Sequence, residues 1–130
     1  MKYAYPIIIT AGSDYQVVYV PDFDINTEGV DIPDAIKMAR DAIGLVGIDM
    51  QDDGKKLPTP SELSSIQNKS EKDSVVTLVD VDFDEYRRMN DNRAIHKNCT
   101  LPAWLCYKAE KSGINFSRVL QEAISKELNI

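Results

Sequence analysis

The chain is poor in the residues that build metal and redox sites. Among its 130 residues there is one histidine, His96, and only two cysteines, Cys99 and Cys106. Neither cysteine belongs to a CxxC pair, and these three side chains are too few for a His/Cys zinc site. One cysteine falls on an expected strand and the other in the middle of the next helix, a poor geometry for a bridge. Both are therefore read as reduced and space-filling, and no metal or cofactor is expected. Long apolar runs are also missing. The run in MKYAYPIIIT is interrupted by Pro6. It falls far short of the roughly 20 residues a membrane helix needs, and no cleavage-site pattern follows it. The expectation is a cytoplasmic protein with no membrane partner. No Gly-rich phosphate loop occurs. His96 has no evident nucleophile partner, so Ser/His/Asp and Cys/His catalysis are unsupported.

What remains is an ordinary globular composition, 43% hydrophobic, with an uneven distribution of charge. The net charge of −6 argues on its face against nucleic acid, yet residues 1–90 carry −8 and residues 91–130 carry +2. An acidic body joined to a mildly basic tail points to two surfaces with two different partners.

Tyr3–Thr10 is apolar and rich in β-branched residues, as a buried strand requires. Ala11-Gly12-Ser13-Asp14 supplies turn chemistry, and Tyr15–Val20 completes a hairpin. Pro21-Asp22 ends that strand, and a short third strand is expected over Asn26–Gly29. Asp31, with Asp34 three positions on, starts a helix. Its apolar stripe is Ala35, Ile36, Ala39, Ala42, Ile43, Val46 and Met50. Gly44 and Gly47 fall off this stripe and are expected to weaken the last turns. A breaker-rich loop and a loose polar stretch, Glu62–Asp73, with room for one helical turn, lead to a last strand over Ser74–Val81. The order β-β-β-α-β is an α+β layer, one helix against a sheet, with an uncovered sheet side as a candidate docking surface. Phe83–Asn92 reads as a charged connector with partial helical character. The expected organisation is thus a domain over 1–82, a linker over 83–92 and a second domain over 93–130.

Residues 93–130 are the most informative stretch. Ala94–Leu101 has the length of a strand, with Ile95, Cys99 and Leu101 on one parity and His96, Asn98 and Thr100 on the other. Pro102 ends it and opens a helix, Gly113 stops that helix, and Asn115 caps a second. The second helix repeats Phe116, Val119, Leu120, Ala123, Ile124 and Leu128 at helical spacing. So short a module cannot bury its apolar faces alone, but two copies can, through paired strands above four helices. The expected core of this homodimer is Cys99, Leu101, Leu105, Phe116, Val119, Leu120, Ala123 and Ile124. The arrangement resembles the ribbon-helix-helix repressors, whose paired strands enter the major groove of DNA. By that resemblance His96, Asn98 and Thr100 read bases. Asn115, Phe116, Ser117 and Arg118, at the start of the second helix, meet a phosphate.

The N-terminal half carries a second likeness. A YPIII strand, a hairpin to VVYVPDF, TEG, a D-x-x-D-A helix start and DDGKKLPTPS after the helix resemble the HicB antitoxin family. The string TLPAWL…AEKSGINFS…LQEAI is similar to that family's ribbon-helix-helix subclass. The resemblance implies a partial RNase H-like N-terminal domain that covers the active site of a small basic mRNA-cleaving toxin, HicA. It also implies a C-terminal domain that binds operator DNA and represses the shared operon. Tyr19, Asp22, Phe23 and Asp24 are then the expected toxin contacts, with Val20 standing where the family commonly has Phe. Whether the dimers assemble further with toxin is left open.

An RNase H-like fold raises the question of two-metal nuclease chemistry, which needs converging carboxylates. Tyr3–Thr10 holds no acid where such nucleases place a key aspartate, so no enzymatic activity is expected. The competing reading is a ribbon-helix-helix regulator whose N-terminal domain senses a small ligand.

Overall fold

The computed structural model describes residues 1–130 and divides into two compact units, Met1–Asn92 and Arg93–Ile130. In the first unit, β1 (Lys2–Ala11), β2 (Gln16–Val20), β3 (Ile25–Gly29) and β4 (Val75–Asp82) form one sheet in the order β3-β2-β1-β4. All three pairings are antiparallel. Pro6 stands in the middle of β1, a position where a missing N–H normally breaks a ladder. Here the β1–β2 ladder covers only Ile8–Ala11, so Pro6 faces β4 alone.

The helix α1 (Ile32–Asp52) lies against one face of the sheet. The side chain of its cap Asp31 accepts from the Asp34 N–H at 2.8 Å, and Asp34 in turn accepts from Val30 N–H at 2.9 Å. Tyr5, Ile7, Ile9, Val18, Val20, Val79 and Val81 point from the sheet into the core, where Ala35, Ala39 and Ile43 meet them. Alternation along each strand sends Ile8, Val17, Tyr19, Val76 and Leu78 to the other face. A short helix α2 (Leu63–Lys69) packs on β4 and buries Ile66 apart from the main core cluster. The helical turn allowed for in the polar stretch is this seven-residue helix.

Two expectations for the first unit are corrected. Residues 83–89, assigned to a linker, form α3 (Phe83–Met89), whose Phe83 and Tyr86 complete the core. Asp82 caps α3, accepting from Asp84 N–H at 3.1 Å. The compact unit therefore runs to Asn92, not to residue 82. The reason lies in Gly44 and Gly47, which are buried where α1 meets the two rings. A Cβ on Gly44 would stand 2.5 Å from Tyr86 Cγ, and one on Gly47 would stand 2.7 Å from Phe83 Cδ1. The glycines are the recesses that α3 fills. Val46, expected on the buried stripe, is exposed instead.

The second unit contains α4 (Ala103–Lys111) and α5 (Phe116–Glu127), joined through Gly113 at φ +68 and the cap Asn115. No residue of either helix is buried. Residues 91–102 hold neither helix nor sheet ladder, so the strand expected over Ala94–Leu101 is not formed within one chain. A single strand has no partner for its N–H and C=O groups, and a ladder needs a second strand.

Candidate functional site

In the first unit the turn between β2 and β3 gathers the expected toxin contacts and gives them unequal roles. Asp22 accepts from the Ser61 backbone N–H at 2.9 Å and from the Ser61 hydroxyl at 2.5 Å. Its carboxylate is committed to tying the turn to the loop after α1. Phe23 packs against the core with its ring edge-on to Tyr5, centroids 4.8 Å apart. Tyr5 itself donates to the Pro58 carbonyl at 2.9 Å, and burial pushes its pKa up to about 12. The VPDF and LPTPS segments, separated in sequence, thus meet through Asp22–Ser61, and Tyr5–Pro58 ties β1 to the same loop. Tyr19 and Asp24 differ from these two. The Tyr19 hydroxyl donates to Asp24 Oδ1 at 2.9 Å on the exposed side of the sheet, and this bond raises the Tyr19 pKa. Asp24 adopts φ +52, a left-handed conformation that Asp tolerates better than most residues.

In the second unit α4 and α5 enclose an open apolar hollow of about 510 Å³. Leu101, Leu105, Phe116, Val119, Leu120 and Ala123 line it, together with Cys99 and Lys97. Of the expected dimer core only Ile124 stands outside this lining. Lys97, Cys99 and Leu101 line the hollow, whereas Ile95, on the same parity, is 85% exposed and lies outside the lining with His96, Asn98 and Thr100. Lys97 was passed over in the sequence, although its odd number shared with Cys99 and Leu101 signals the position. His96, Asn98 and Thr100 are all exposed.

At the start of α5 the Asn115 side chain accepts from Arg118 N–H at 3.1 Å, and Arg118 pairs with Glu122 at 3.1 Å. The Arg118 amide and guanidinium are thus both engaged within the helix, while Phe116 and Ser117 hold the first-turn positions whose N–H groups lack intrahelical acceptors. No group of three or more His, Cys, Asp or Glu side chains is placed to hold a metal ion. No helix is long and apolar enough to cross a membrane.

The family model for the HicB-like antitoxin of bacterial toxin–antitoxin systems matches residues 5–123, across both units. The chain belongs to the HicB-like antitoxin family. A toxin–antitoxin complex from Streptococcus pneumoniae contains a chain 26% identical, with a TM-score of 0.60 over 98% of this chain and 99% of that one. The antitoxin HicB of Burkholderia pseudomallei is 25% identical, with a TM-score of 0.56 over 97% of this chain and 96% of that one. A chain of the HicA3 and HicB3 toxin–antitoxin complex shares the fold at 22% identity, with a TM-score of 0.52, over 62% of this chain and 99% of that one. No curated protein sequence matches the chain. The mixed architecture of an antiparallel four-stranded sheet and five helices is thus similar to that of HicB structures.

Proposed function

We propose that this HicB-family chain neutralises a small basic mRNA-cleaving toxin of the HicA type by covering its active site with the first unit. A dimer formed through the second unit represses the operon. The protein acts in the cytoplasm by binding, without catalysis of its own. The observation that carries this reading is that one antitoxin family model spans both units, which differ in sign of charge. Residues 1–92 carry net −9 and residues 93–130 net +3. An acidic surface suits a partner that grips RNA phosphates, and a basic one suits DNA.

A second copy is the natural occupant of the hollow, since Cys99, Leu101, Leu105, Phe116, Val119 and Leu120 are otherwise left in water. Pairing of residues 94–101 with the same segment of that copy makes a ribbon with the ribbon-helix-helix arrangement. It supplies the missing ladder and turns His96, Asn98 and Thr100 to the major groove. Phe116 and Ser117 then offer backbone N–H groups to a phosphate at the start of α5. Replacing Asn98, suited to bidentate adenine recognition, tests this arm. Asn98→Ala is expected to weaken operator binding by about 1–3 kcal/mol with the dimer intact. Unchanged affinity in a mobility-shift titration at fixed salt removes Asn98 from base reading. The toxin arm is tested by expressing the adjacent reading frame with and without this chain and following mRNA cleavage. Cleavage that persists with both present refutes neutralisation.

A further inference from the structure

Residues 3–36 contain no lysine, arginine or histidine, and they hold six carboxylates: Asp14, Asp22, Asp24, Glu28, Asp31 and Asp34. Three of these accept hydrogen bonds from backbone N–H groups within the fold. Asp31 and Asp34 serve the start of α1, and Asp22 holds Ser61. Asp24 and Glu28 remain on the β2–β3 hairpin, both exposed and neither in an ion pair. Their surroundings follow from the register. Val17 is opposite Glu28 and Tyr19 opposite Asn26, on the sheet face turned away from α1. Val17 is 45% exposed. β3 is an edge strand, so this surface is open along one side.

We propose that the outer face of this hairpin, Val17, Tyr19, Asn26 and Glu28 with Asp24 at its turn, is the docking surface for a lysine- and arginine-rich protein. This deepens the toxin reading above and rests on it. An apolar centre of Val17 and the Tyr19 ring, flanked by carboxylates, has the make-up of an interface patch with a polar rim. The lack of any cation within residues 3–36 selects the partner. Phosphate polymers and anionic lipid surfaces are repelled, whereas a basic protein gives Asp24 and Glu28 their first opposite charges. The Tyr19 hydroxyl already holds Asp24 in place, which lowers the ordering cost of pairing. Asp22 and Phe23, the other expected contacts, fall outside this footprint because Ser61 and Tyr5 engage them.

The test uses the full chain and the toxin encoded in the adjacent reading frame, inactivated by a substitution in its active site. Binding is measured calorimetrically for the unaltered chain, for Asp24→Asn with Glu28→Lys, and for Glu71→Lys with Asp73→Asn. The last pair changes the net charge by the same amount at the exposed turn before β4. The hairpin pair is expected to weaken binding roughly tenfold or more and to flatten its salt dependence. The control pair is expected to change affinity by less than about threefold, because separated exposed charges are screened. Val17→Asp is a third arm expected to weaken binding without altering the far-ultraviolet circular dichroism. Equal losses from the hairpin and control pairs, or full affinity in the hairpin variant, overturn the footprint while leaving the toxin reading standing. No binding by the unaltered chain overturns both.

Discussion

Replacing Gly47 by alanine separates a docked α3 from a free connector by the sign of its effect. In an exposed helix the substitution stabilises by about 1 kcal/mol, because alanine is the better helix former. In this structure the added Cβ falls 2.7 Å from Phe83 Cδ1 and 3.2 Å from Leu57 Cδ2, so it is crowded from two sides. Phe83 has little room to withdraw. It is only 1% exposed, and its ring is edge-on to Tyr3 and Tyr5 at 6.3 and 6.4 Å. Overpacking of this kind costs about 1–3 kcal/mol, and the fenced ring argues for the upper half of that range. The expected net effect is a loss of about 1–2 kcal/mol, or roughly 4–8 °C of melting temperature per kcal/mol for a unit of this size. Urea and thermal melts followed by far-ultraviolet circular dichroism, at one fixed protein concentration, measure it. Phe83→Leu in the same chain is expected to relieve part of the loss, a coupling that a double-mutant cycle reads directly. A neutral or stabilising Gly47→Ala refutes the packing of α3 and returns residues 83–92 to the status of a connector.

Leu120→Asp places an unpaired charge in the hollow of the second unit and is expected to cost several kcal/mol of dimer stability. Light scattering after size exclusion should show monomer, and an unchanged dimer would contradict the proposed shared core. Asp22→Asn weakens two bonds to Ser61, and a loss of roughly 1–3 kcal/mol in unfolding stability is expected, with toxin affinity nearly unchanged. A selective loss of toxin binding would instead restore Asp22 as a contact. Tyr5 and Tyr86 predict an alkaline limit. Burial raises both above the ordinary 10.0, with the hydrogen bond to Asp41 adding to the effect at Tyr86. The neutral forms are thus favoured in the fold. Their contribution is complete below pH 10.0 and drains as pH rises toward the folded value of about 12 for Tyr5. Ultraviolet titration should show these two phenols ionising together with loss of structure, and early ionisation in an intact fold would contradict their burial.

Local chemistry was enough to place most of the elements. The β-branched segments became β1, β2 and β4, Asp31 caps α1, and Gly113-Asn115 separates α4 from α5, because each depends on residues adjacent in sequence. The antitoxin family was legible as well, through ordered motifs in both halves. Tertiary contacts decided the rest. Gly44 and Gly47 look like weak points in sequence, yet Tyr86 and Phe83, 42 and 36 residues further on, fill them. Asp22 and Asp24 look equivalent in the string PDFD, yet Ser61 engages one and Tyr19 the other. Periodicity reports which side of an element is apolar, but not which distant group arrives there. For residues 94–101 even one folded chain is insufficient, since the bonds of a strand lie in its neighbour.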